Sequence, residues 1–258
     1  MTGSRRVALL ALPAALLAAC SSSGGGGGGG GIPSGMPTDA VGLGTTLQNA
    51  IGKITSAHIA LDISLAGQKL TGSGDETLAS GQLTGLDLTE NLPNGAGEIR
   101  VILADGKTYA KLPATLNSSD KPYLLVSKSS SNQIIRQLSG SLDSALSSAS
   151  LGSVSTFTHA AKSVDVKGVQ TIDGVQTVHY SIVVDVAKLP DSLPGKSELT
   201  QSGITTLPLD LYIDTSGRPV QITEQFSAQG QKVSTKATVS GYNKPVTITA
   251  PPADQVGS

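Results

Sequence analysis

Aromatic residues are scarce in this chain of 258 residues: tryptophan is absent, and two phenylalanines and five tyrosines give an aromatic content of 3%. Proteins that bind nucleic-acid bases commonly stack them on aromatic rings. A basic excess for binding phosphates is missing too, because 18 Lys and Arg residues face 19 Asp and Glu residues. These shortages argue against a nucleic-acid partner and require a core built mainly from Leu, Ile, Val and Ala.

Cysteine is nearly absent as well: it occurs once, within Leu17-Ala18-Ala19-Cys20, so the chain cannot form an internal disulfide. Upstream lie the cationic Arg5 and Arg6 and an apolar run over residues 7–17, which is the order of parts in a secretion signal. Small residues next to a cysteine are typical of a bacterial lipobox. We therefore predict a signal peptide over residues 1–19, although an ordinary cleaved signal that ends beside a cysteine has the same pattern.

Long apolar segments are also missing. The apolar run of the leader is shorter than the roughly 20 residues that a membrane-spanning helix needs, and Pro13 interrupts it. Later apolar runs have only the length of strands. A lipobox cysteine carries two acyl chains, which together hold a protein stably on a membrane. We therefore predict that lipidated Cys20 anchors the mature protein to the cell membrane on its extracytoplasmic face.

Side chains are sparse in the segment that follows, where eight consecutive glycines occupy positions 24–31. Such a segment has nothing with which to build a core and loses much backbone entropy if it is ordered. A phosphate-binding glycine loop would need a strand before it and a helix after it, and neither is indicated here. We therefore predict a tether over residues 20–38 and one folded domain over residues 39–253.

Two segments have the three- and four-residue apolar spacing of amphipathic helices. The first begins after Thr38 or Asp39, either of which is a suitable N-cap. Its apolar positions are Leu43, Leu47, Ala50, Ile51 and Ile54. The second is predicted from about Ser131 to Ala149, with an apolar face opposite serine-rich positions. The residues of that face are Ile134, Ile135, Leu138, Leu142, Ala145, Leu146 and Ala149.

Most of the remaining chain alternates apolar and polar residues, which predicts antiparallel strands with one buried and one solvated face. The alternating positions are Ile59, Leu61, Ile63 and Leu65; Leu86 and Leu88; Ile99, Val101 and Leu103; Val178, Tyr180, Ile182, Val184 and Val186; Leu209, Leu211 and Ile213; Val220, Ile222 and Phe226; and Val233, Thr235, Ala237 and Val239. Turn signals between the strands are Asp105-Gly106, Asp173-Gly174, Ser216-Gly217 and Gln229-Gly230.

These patterns predict an α+β fold in which a curved antiparallel sheet packs its concave apolar face against a few helices. That face has two interpretations: it is an ordinary core, or it lines a cavity for an apolar ligand. Periodicity does not distinguish them. The candidate cavity residues are Ile59, Leu61, Ile63, Ile99, Val101, Val178, Tyr180, Ile182, Leu209, Leu211 and Ile213.

Groups for catalysis or metal binding are not clustered along the sequence. The histidines are His58, His159 and His179, and their separations do not match a metal site. His179 alternates with Tyr180 and is expected to be solvated. The carboxylates that could form a hydrolytic pair are Asp62, Asp75 and Glu76, or Asp210 and Asp214, and alternation favours solvent-facing positions for them. Since nucleophile motifs are also missing, we predict no enzyme activity, no catalytic residue, no metal site and no cofactor.

A set of short motifs runs in order through the body of the chain, from about residue 40 to 253. The motifs are Ser56–Asp62, Asp105–Lys111 with Tyr123, Ile172–Tyr180, Leu209–Asp214, Gly217–Val220, Tyr242–Val246 and Ala250–Pro252. Together with the lipobox, they resemble the actinobacterial cell-envelope lipoproteins of the LppX/LprG type, which have a LolA-like fold. Where related sequences tend to place a tryptophan after the first hairpin, this chain has Tyr123.

The resemblance implies a LolA-like half-barrel whose hydrophobic cavity carries acylated lipids or lipoglycans across the cell envelope, without covalent chemistry or a cofactor. Release of cargo requires mobile segments, for which the candidates are the loops Leu112–Pro122 and Leu189–Leu207. The alternative is an envelope sensor or protein-interaction module with the same fold and no lipid cargo. The ligand, the direction of transfer and an envelope transporter partner do not follow from the sequence.

Overall fold

The structure is a computed structural model that describes residues 31–257 except for 66, 118, 128, 131–134, 137, 138, 140–153, 192, 194, 195, 229 and 230. The predicted signal peptide, Cys20 and most of the glycine tether therefore lie outside the described residues. The same is true of the Gln229-Gly230 turn and of the predicted second helix, apart from Ile135, Arg136 and Ser139.

A single sheet dominates the described part of the chain. Its strands are β1 (Ser56–Leu65), β2 (Gln68–Ala79), β3 (Gln82–Asn91), β4 (Glu98–Ala104), β5 (Lys107–Lys111), β6 (Tyr123–Leu125), β7 (Ala161–Ile172), β8 (Val175–Asp185), β9 (Thr206–Asp214), β10 (Pro219–Ala228), β11 (Gln231–Ser240) and β12 (Val256–Gly257). They follow the order β12-β6-β5-β4-β3-β2-β1-β11-β10-β9-β8-β7. Strands β12 and β7 form the two ends, so the curved sheet stays open.

The sheet is antiparallel throughout, except that β12 runs parallel to β6. Strands β1 to β6 form one half in chain order and β7 to β11 form the other, and the pairing of β1 with β11 joins them. This arrangement confirms the predicted α+β class with a curved antiparallel sheet. Long-range pairing of β1 with β11 also makes the first and last long strands of the body neighbours at the centre of the sheet.

Two-residue turns with positive φ angles join several hairpins. Asp105-Gly106 connects β4 and β5 with φ angles of 51° and 68°, and Asp173-Gly174 connects β7 and β8 with φ angles of 47° and 81°. These left-handed conformations cost glycine nothing and are tolerated by aspartate, which explains the dipeptides. The turn at Ser216-Gly217 is present as well. A further turn of the same kind, Ser80-Gly81 between β2 and β3, was not predicted.

Helix α1 (Ala40–Ile51) begins as the sequence predicts, because the backbone N–H of Gly42 donates a 2.9 Å hydrogen bond to Oδ1 of Asp39. Two shorter helices, α2 (Val154–His159) and α3 (Lys196–Gln201), are also described. Helices α1 and α2 meet at Gly44, where an added Cβ would lie 3.1 Å from the hydroxyl oxygen of Thr158. In the described residues, no helix is long and apolar enough to cross a membrane.

The largest hydrophobic core lies between these helices and the concave face of β8 and β9. Leu43, Leu47 and Ile51 of α1 and Phe157 of α2 belong to one buried cluster with the inward side chains of both strands. We call it the main cluster. Burial of this apolar surface is the principal stabilising contribution to such a fold, at roughly 25 cal/mol for each Å² removed from water.

The C-terminal segment covers part of the opposite, convex face of the sheet. Ile248 and Val256 pack against Ile102, Ala104 and Tyr109, which project from β4 and β5. The segment ends in β12, which extends the sheet beyond β6. This covering explains why both faces of β4 are apolar, since Ile102 alternates with Val101.

Candidate functional site

The strand register brings all eleven candidate cavity residues to the concave face. Leu61 of β1 stands opposite Ala237 of β11, and the row continues through Ile222 and Leu211 to Tyr180 of β8. Directly opposed residues of antiparallel strands project to the same side. The candidates therefore share one apolar surface, but their surroundings differ along it.

Over β8 and β9 this surface is covered by helices. The candidates there are Val178, Tyr180, Ile182, Leu209, Leu211 and Ile213, each at most 1% exposed, and all belong to the main cluster. Leu61 is partly buried and packs against the same cluster. These side chains are therefore packed in a protein core that includes residues of all three described helices.

Over β4 to β6 a separate, smaller cluster is formed. It contains the candidates Ile99 and Val101, together with Ala110 of β5, Leu124 of β6 and Ile135. The main cluster and this smaller cluster have no member in common. The concave face thus has two packed regions, one in each half of the sheet.

Between the two clusters lies a set of shielded apolar residues that we call the central strip. Its members are Ile59, Ile63, Leu86, Leu88 and Val233, from β1, β3 and β11. The candidates in it, Ile59 and Ile63, are 7% and 8% exposed, yet neither belongs to a cluster of buried side chains in the described part of the chain. The central strip is therefore a part of the concave face that is shielded from water and that, among the described residues, belongs to neither packed cluster.

Glycines on β2 allow β3 to approach closely beside the central strip. Gly74 stands opposite Ile59, and a Cβ added there would lie 2.0 Å from the backbone oxygen of Asp87 and 2.6 Å from Cα of Leu88. A Cβ on Gly72 would also be crowded, 3.1 Å or more from its neighbours on β3. Since no side chain fits the distances at position 74, only glycine there permits β3 to approach β2 this closely.

Three glutamates project from the same concave face. Glu76 of β2 stands opposite Ala57, Glu90 lies on β3, and Glu224 of β10 stands opposite Thr235. Burial raises the pKa of all three carboxyl groups, that of Glu76 to about 8 and that of Glu224 well above its ordinary value. In the described structure, the carboxyl oxygens of Glu76 and Glu224 have no hydrogen-bonding partner. An apolar face therefore holds unsatisfied polar groups.

Two of the acids that were expected to face solvent are buried. Glu76 is on the same face of β2 as Gly72 and Gly74. Because glycine has no side chain, the sequence of β2 does not show which of its faces is the inward one. Asp214 accepts hydrogen bonds of 2.9 Å from the backbone N–H groups of Ser216 and Arg218 and of 2.7 Å from Nε of Arg218. Asp214 thus fixes the turn between β9 and β10 and is not available as a catalytic carboxylate.

The other acids considered for a catalytic pair lie on the convex face beside bases. Their N···O contacts are Asp62 with Lys69 at 2.8 Å, Asp75 with His58 at 2.7 Å and Asp210 with His179 at 2.7 Å. His179 is less solvated than expected: its side chain is only 13% exposed. Its ring stacks on the ring of Tyr212, and the two ring centroids are 4.4 Å apart. The described residues contain no group of three or more acids, histidines or cysteines placed to hold a metal.

The end of the predicted tether is fixed to the concave face. The hydroxyl of Tyr180 donates a 2.9 Å hydrogen bond to the carbonyl oxygen of Pro37, and Met36 packs against the main cluster. Burial raises the pKa of Tyr180 to about 12, so the hydroxyl keeps its proton at neutral pH. Residues 36 and 37 are therefore in contact with the folded body.

A polar cavity of about 470 Å³ opens elsewhere, beside α1. It is lined by Thr46, Asn49, Ala50, Lys53, Ile54, Ser216, Arg218 and Asn243. Arg218 is held there by a 2.7 Å ion pair with Asp214 and lies over the ring of Tyr242, 4.9 Å from its centroid. None of the eleven candidate residues belongs to this lining.

The buried acids near the central strip were not found from the sequence, although a signal exists. Glu90 falls in phase with Leu86 and Leu88, and Glu224 falls in phase with Ile222 and Phe226. A glutamate in phase with the apolar residues of a strand points to the apolar side of the sheet. Such a residue is rarely buried without a partner, which makes its position informative.

Comparisons with known proteins show the fold. No protein-family model matches the chain, and no curated protein matches it. Among solved structures, LprF from Mycobacterium bovis is similar with 18% identity and a TM-score of 0.51, over 83% of this chain and 99% of LprF. The Mycobacterium tuberculosis lipoprotein LppX has 15% identity and a TM-score of 0.49, over 81% of this chain and 98% of LppX. The chain therefore has the fold of LprF, as the resemblance to LppX/LprG-type lipoproteins implied.

Proposed function

We propose that the protein is a membrane-anchored, extracytoplasmic lipoprotein that binds an acylated lipid or lipoglycan on the concave face of its sheet and carries it across the cell envelope. The observation that carries the proposal is the central strip, where apolar side chains such as Ile59 and Ile63 are shielded from water but, among the described residues, belong to neither packed cluster. An acyl chain suits such a surface, because it is flexible and apolar along its whole length.

The proposal assigns different parts to the candidate residues. Ile59, Leu61 and Ile63 of β1 form the floor of the lipid-binding surface, and Ile99 and Val101 form its wall in one half of the sheet. The candidates on β8 and β9 form the opposite wall, which the main cluster makes rigid. Rigid walls on both sides of a loosely packed strip allow a ligand to enter without unfolding the sheet.

The anchor places this surface beside its source of lipid. In the proposal, Cys20 carries the acyl chains that hold the protein on the extracytoplasmic face of the membrane. About 16 residues separate Cys20 from Met36, and a glycine-rich coil of this length has a root-mean-square reach of roughly 20 to 25 Å. The body thus remains near the membrane surface and is free to turn its concave face toward it.

Lipid extraction tests the proposal. The chain from Gly31 to Ser258, secreted by an actinobacterial host, would be purified without detergent, and its non-covalent lipid would be extracted and counted by mass spectrometry. We expect close to one lipid per protein, and a higher melting temperature when the lipid is returned to the stripped protein. An empty protein whose melting temperature ignores added triacylglycerol and glycolipid would instead favour the sensor or interaction module.

A matched pair of variants locates the lipid. Ile63→Trp fills part of the central strip, whereas Ser64→Trp places the same side chain one residue further on, on the convex face. We expect Ile63→Trp to lower the lipid content at least several-fold and Ser64→Trp to preserve it. Equal lipid contents in the two variants would contradict binding at the central strip.

A further inference from the structure

Glu224 is an unsatisfied polar group on an otherwise apolar surface. The residue is 1% exposed and lies between Ile222 and Phe226, both of which contact or belong to the main cluster. In the described structure neither of its carboxyl oxygens has a hydrogen-bonding partner. Since buried polar groups are normally paired, the fold without a ligand leaves the hydrogen-bonding capacity of Glu224 unused.

The carboxyl group of Glu224 is in the neutral form that donates a hydrogen bond. Complete burial raises its pKa well above the ordinary value for glutamate, because the charged form is poorly solvated. A protonated carboxyl has one O–H donor and a carbonyl acceptor. It therefore suits a ligand that offers a hydrogen-bond acceptor.

Glu224 lies at the border of the central strip. It stands opposite Thr235 of β11, and Thr235 stands opposite Ile63 of β1. Opposed residues on neighbouring strands have Cβ atoms about 5 Å apart, so Glu224 is roughly 10 Å from Ile63 across the sheet. A lipid whose chains follow the central strip brings the linkage between chain and headgroup within this distance.

We propose that Glu224 recognises the ester linkage of the bound lipid, with its carboxyl O–H donating a hydrogen bond to an ester carbonyl oxygen. This inference rests on the proposed function and adds a ligand class, O-acyl lipids, to it. A hydrocarbon has no acceptor and an ether oxygen is a weaker one, so the carboxyl group selects esters among apolar molecules of similar size. The same contact satisfies the polar group that the ligand-free fold leaves unpaired.

Glu76 supplies a matched control. It is also fully buried on the concave face, and its carboxyl oxygens also lack a partner in the described structure. It stands between Ala57 of the main cluster and Leu86 of the central strip, however, three cross-strand rows away from the row that contains Ile63 and Glu224. A leucine at either position removes a buried unsatisfied acid, but only the change at Glu224 removes the proposed ligand contact.

The experiment compares an ester with its ether. The full chain and its variants, stripped of non-covalent lipid, would be titrated with tripalmitoylglycerol and with tri-O-hexadecylglycerol, which lacks the carbonyl groups. We expect the wild type to bind the ester about tenfold more tightly than the ether, a ratio within the range of one buried hydrogen bond. Glu224→Leu should lose this preference while melting at a higher temperature without lipid. Glu224→Gln keeps a hydrogen-bond donor and should retain part of the preference for the ester. Glu76→Leu should retain the whole preference.

Each result decides the inference. Equal affinities of the wild type for ester and ether would overturn it and leave the proposed function standing. A preference that persists in Glu224→Leu would overturn the role of Glu224 in the same way. Binding of neither compound would overturn this inference, and the lipid extraction described above would decide the proposed function separately. If Glu224→Leu fails to fold, the inference is tested by comparing the ester preference of the wild type with that of Glu224→Gln, and an undiminished preference in Glu224→Gln would count against it.

Discussion

Tyr180 and Pro37, 143 residues apart in the chain, are joined by a 2.9 Å hydrogen bond from the tyrosine hydroxyl to the proline carbonyl oxygen. This contact holds the segment that leads to α1 on the concave face of β8. The folded body therefore begins at about Pro37, at the end of the predicted tether. Because Tyr180 is fully buried, the bond is shielded from competition with water.

Removing this hydrogen bond should loosen the start of the body. In Tyr180→Phe the ring remains in the main cluster but the donor is lost, so we expect a loss of about 1 kcal/mol in the free energy of unfolding. Urea denaturation would measure the loss, and hydrogen exchange should become faster in residues 34–39. Tyr212→Phe on the convex face is the control. Unchanged exchange in Tyr180→Phe would show that the contact does not hold the segment.

The buried carboxyl of Glu76 should make stability depend on pH. Its pKa is raised from 4.5 to about 8 in the folded protein, so the folded state keeps a proton that the unfolded state releases. The contribution of Glu76 to stability is therefore fully present below about pH 4.5 and is lost as the pH rises to about 8. At 1.36 kcal/mol for each pKa unit, the loss is of the order of several kcal/mol. Glu90 and Glu224 act in the same direction.

Urea midpoints measured from pH 4.5 to pH 8 test this dependence. We expect the wild-type midpoint to fall over this range and the fall to be smaller in Glu76→Gln, which has no proton to release. Glu98→Gln, at an exposed position, is the control. Parallel curves for the wild type and Glu76→Gln would show that Glu76 keeps an ordinary pKa in the folded protein.

Alanine substitution should reveal how tightly β3 approaches β2. A Cβ at position 74 would lie 2.0 Å from the backbone oxygen of Asp87, so Gly74→Ala requires the strands to move apart. We expect it to lower the free energy of unfolding by about 1–3 kcal/mol, the usual range for overpacking. Gly72→Ala should cost less, because one of its nearest contacts is the flexible side chain of Glu90 at 3.1 Å. Thermal unfolding measures both losses, and equal losses would contradict a closer approach of β3 at Gly74 than at Gly72.

The lipid anchor is tested at Cys20 itself. In Cys20→Ala the thiol that receives the lipid is absent, so we expect loss of labelling by an alkyne-tagged palmitate and release of the protein from the membrane fraction. Ser21→Ala, one residue further along, should label and fractionate like the wild type. Continued labelling of Cys20→Ala would refute the assignment of the anchor to this cysteine.

The long strands with regular alternation could be predicted because their pattern reflects a single buried face. The residues Ile59 to Leu65 of β1 and Val178 to Val184 of β8 are examples, and their hairpin turns were equally clear. Strand β2 was missed because Gly72, Gly74 and Glu76 occupy its inward positions, so its sequence shows no apolar alternation. Strand β7 was missed because it lies at the open edge of the sheet, where both of its faces are half-exposed.

The candidate site could be predicted only as a face. Alternation correctly places Ile63 and Leu211 on the same side of the sheet, but it contains no information on what packs against each of them. Leu211 belongs to the main cluster together with residues of α1, whereas Ile63 lies in the central strip. That difference depends on where the helices pack, which is a property of the folded chain.

Photocrosslinking decides whether acyl chains lie on the central strip. A fatty acid with a diazirine in its chain would be fed to the host and incorporated into its lipids, and the protein would be irradiated, digested with trypsin and analysed by mass spectrometry. We expect the label in peptide 54–69, which contains Ile63, and in peptide 70–100, which contains Leu88. A label confined to residues 245–258, whose Ile248 and Val256 pack on the convex face, or no label at all, would contradict lipid binding at this surface.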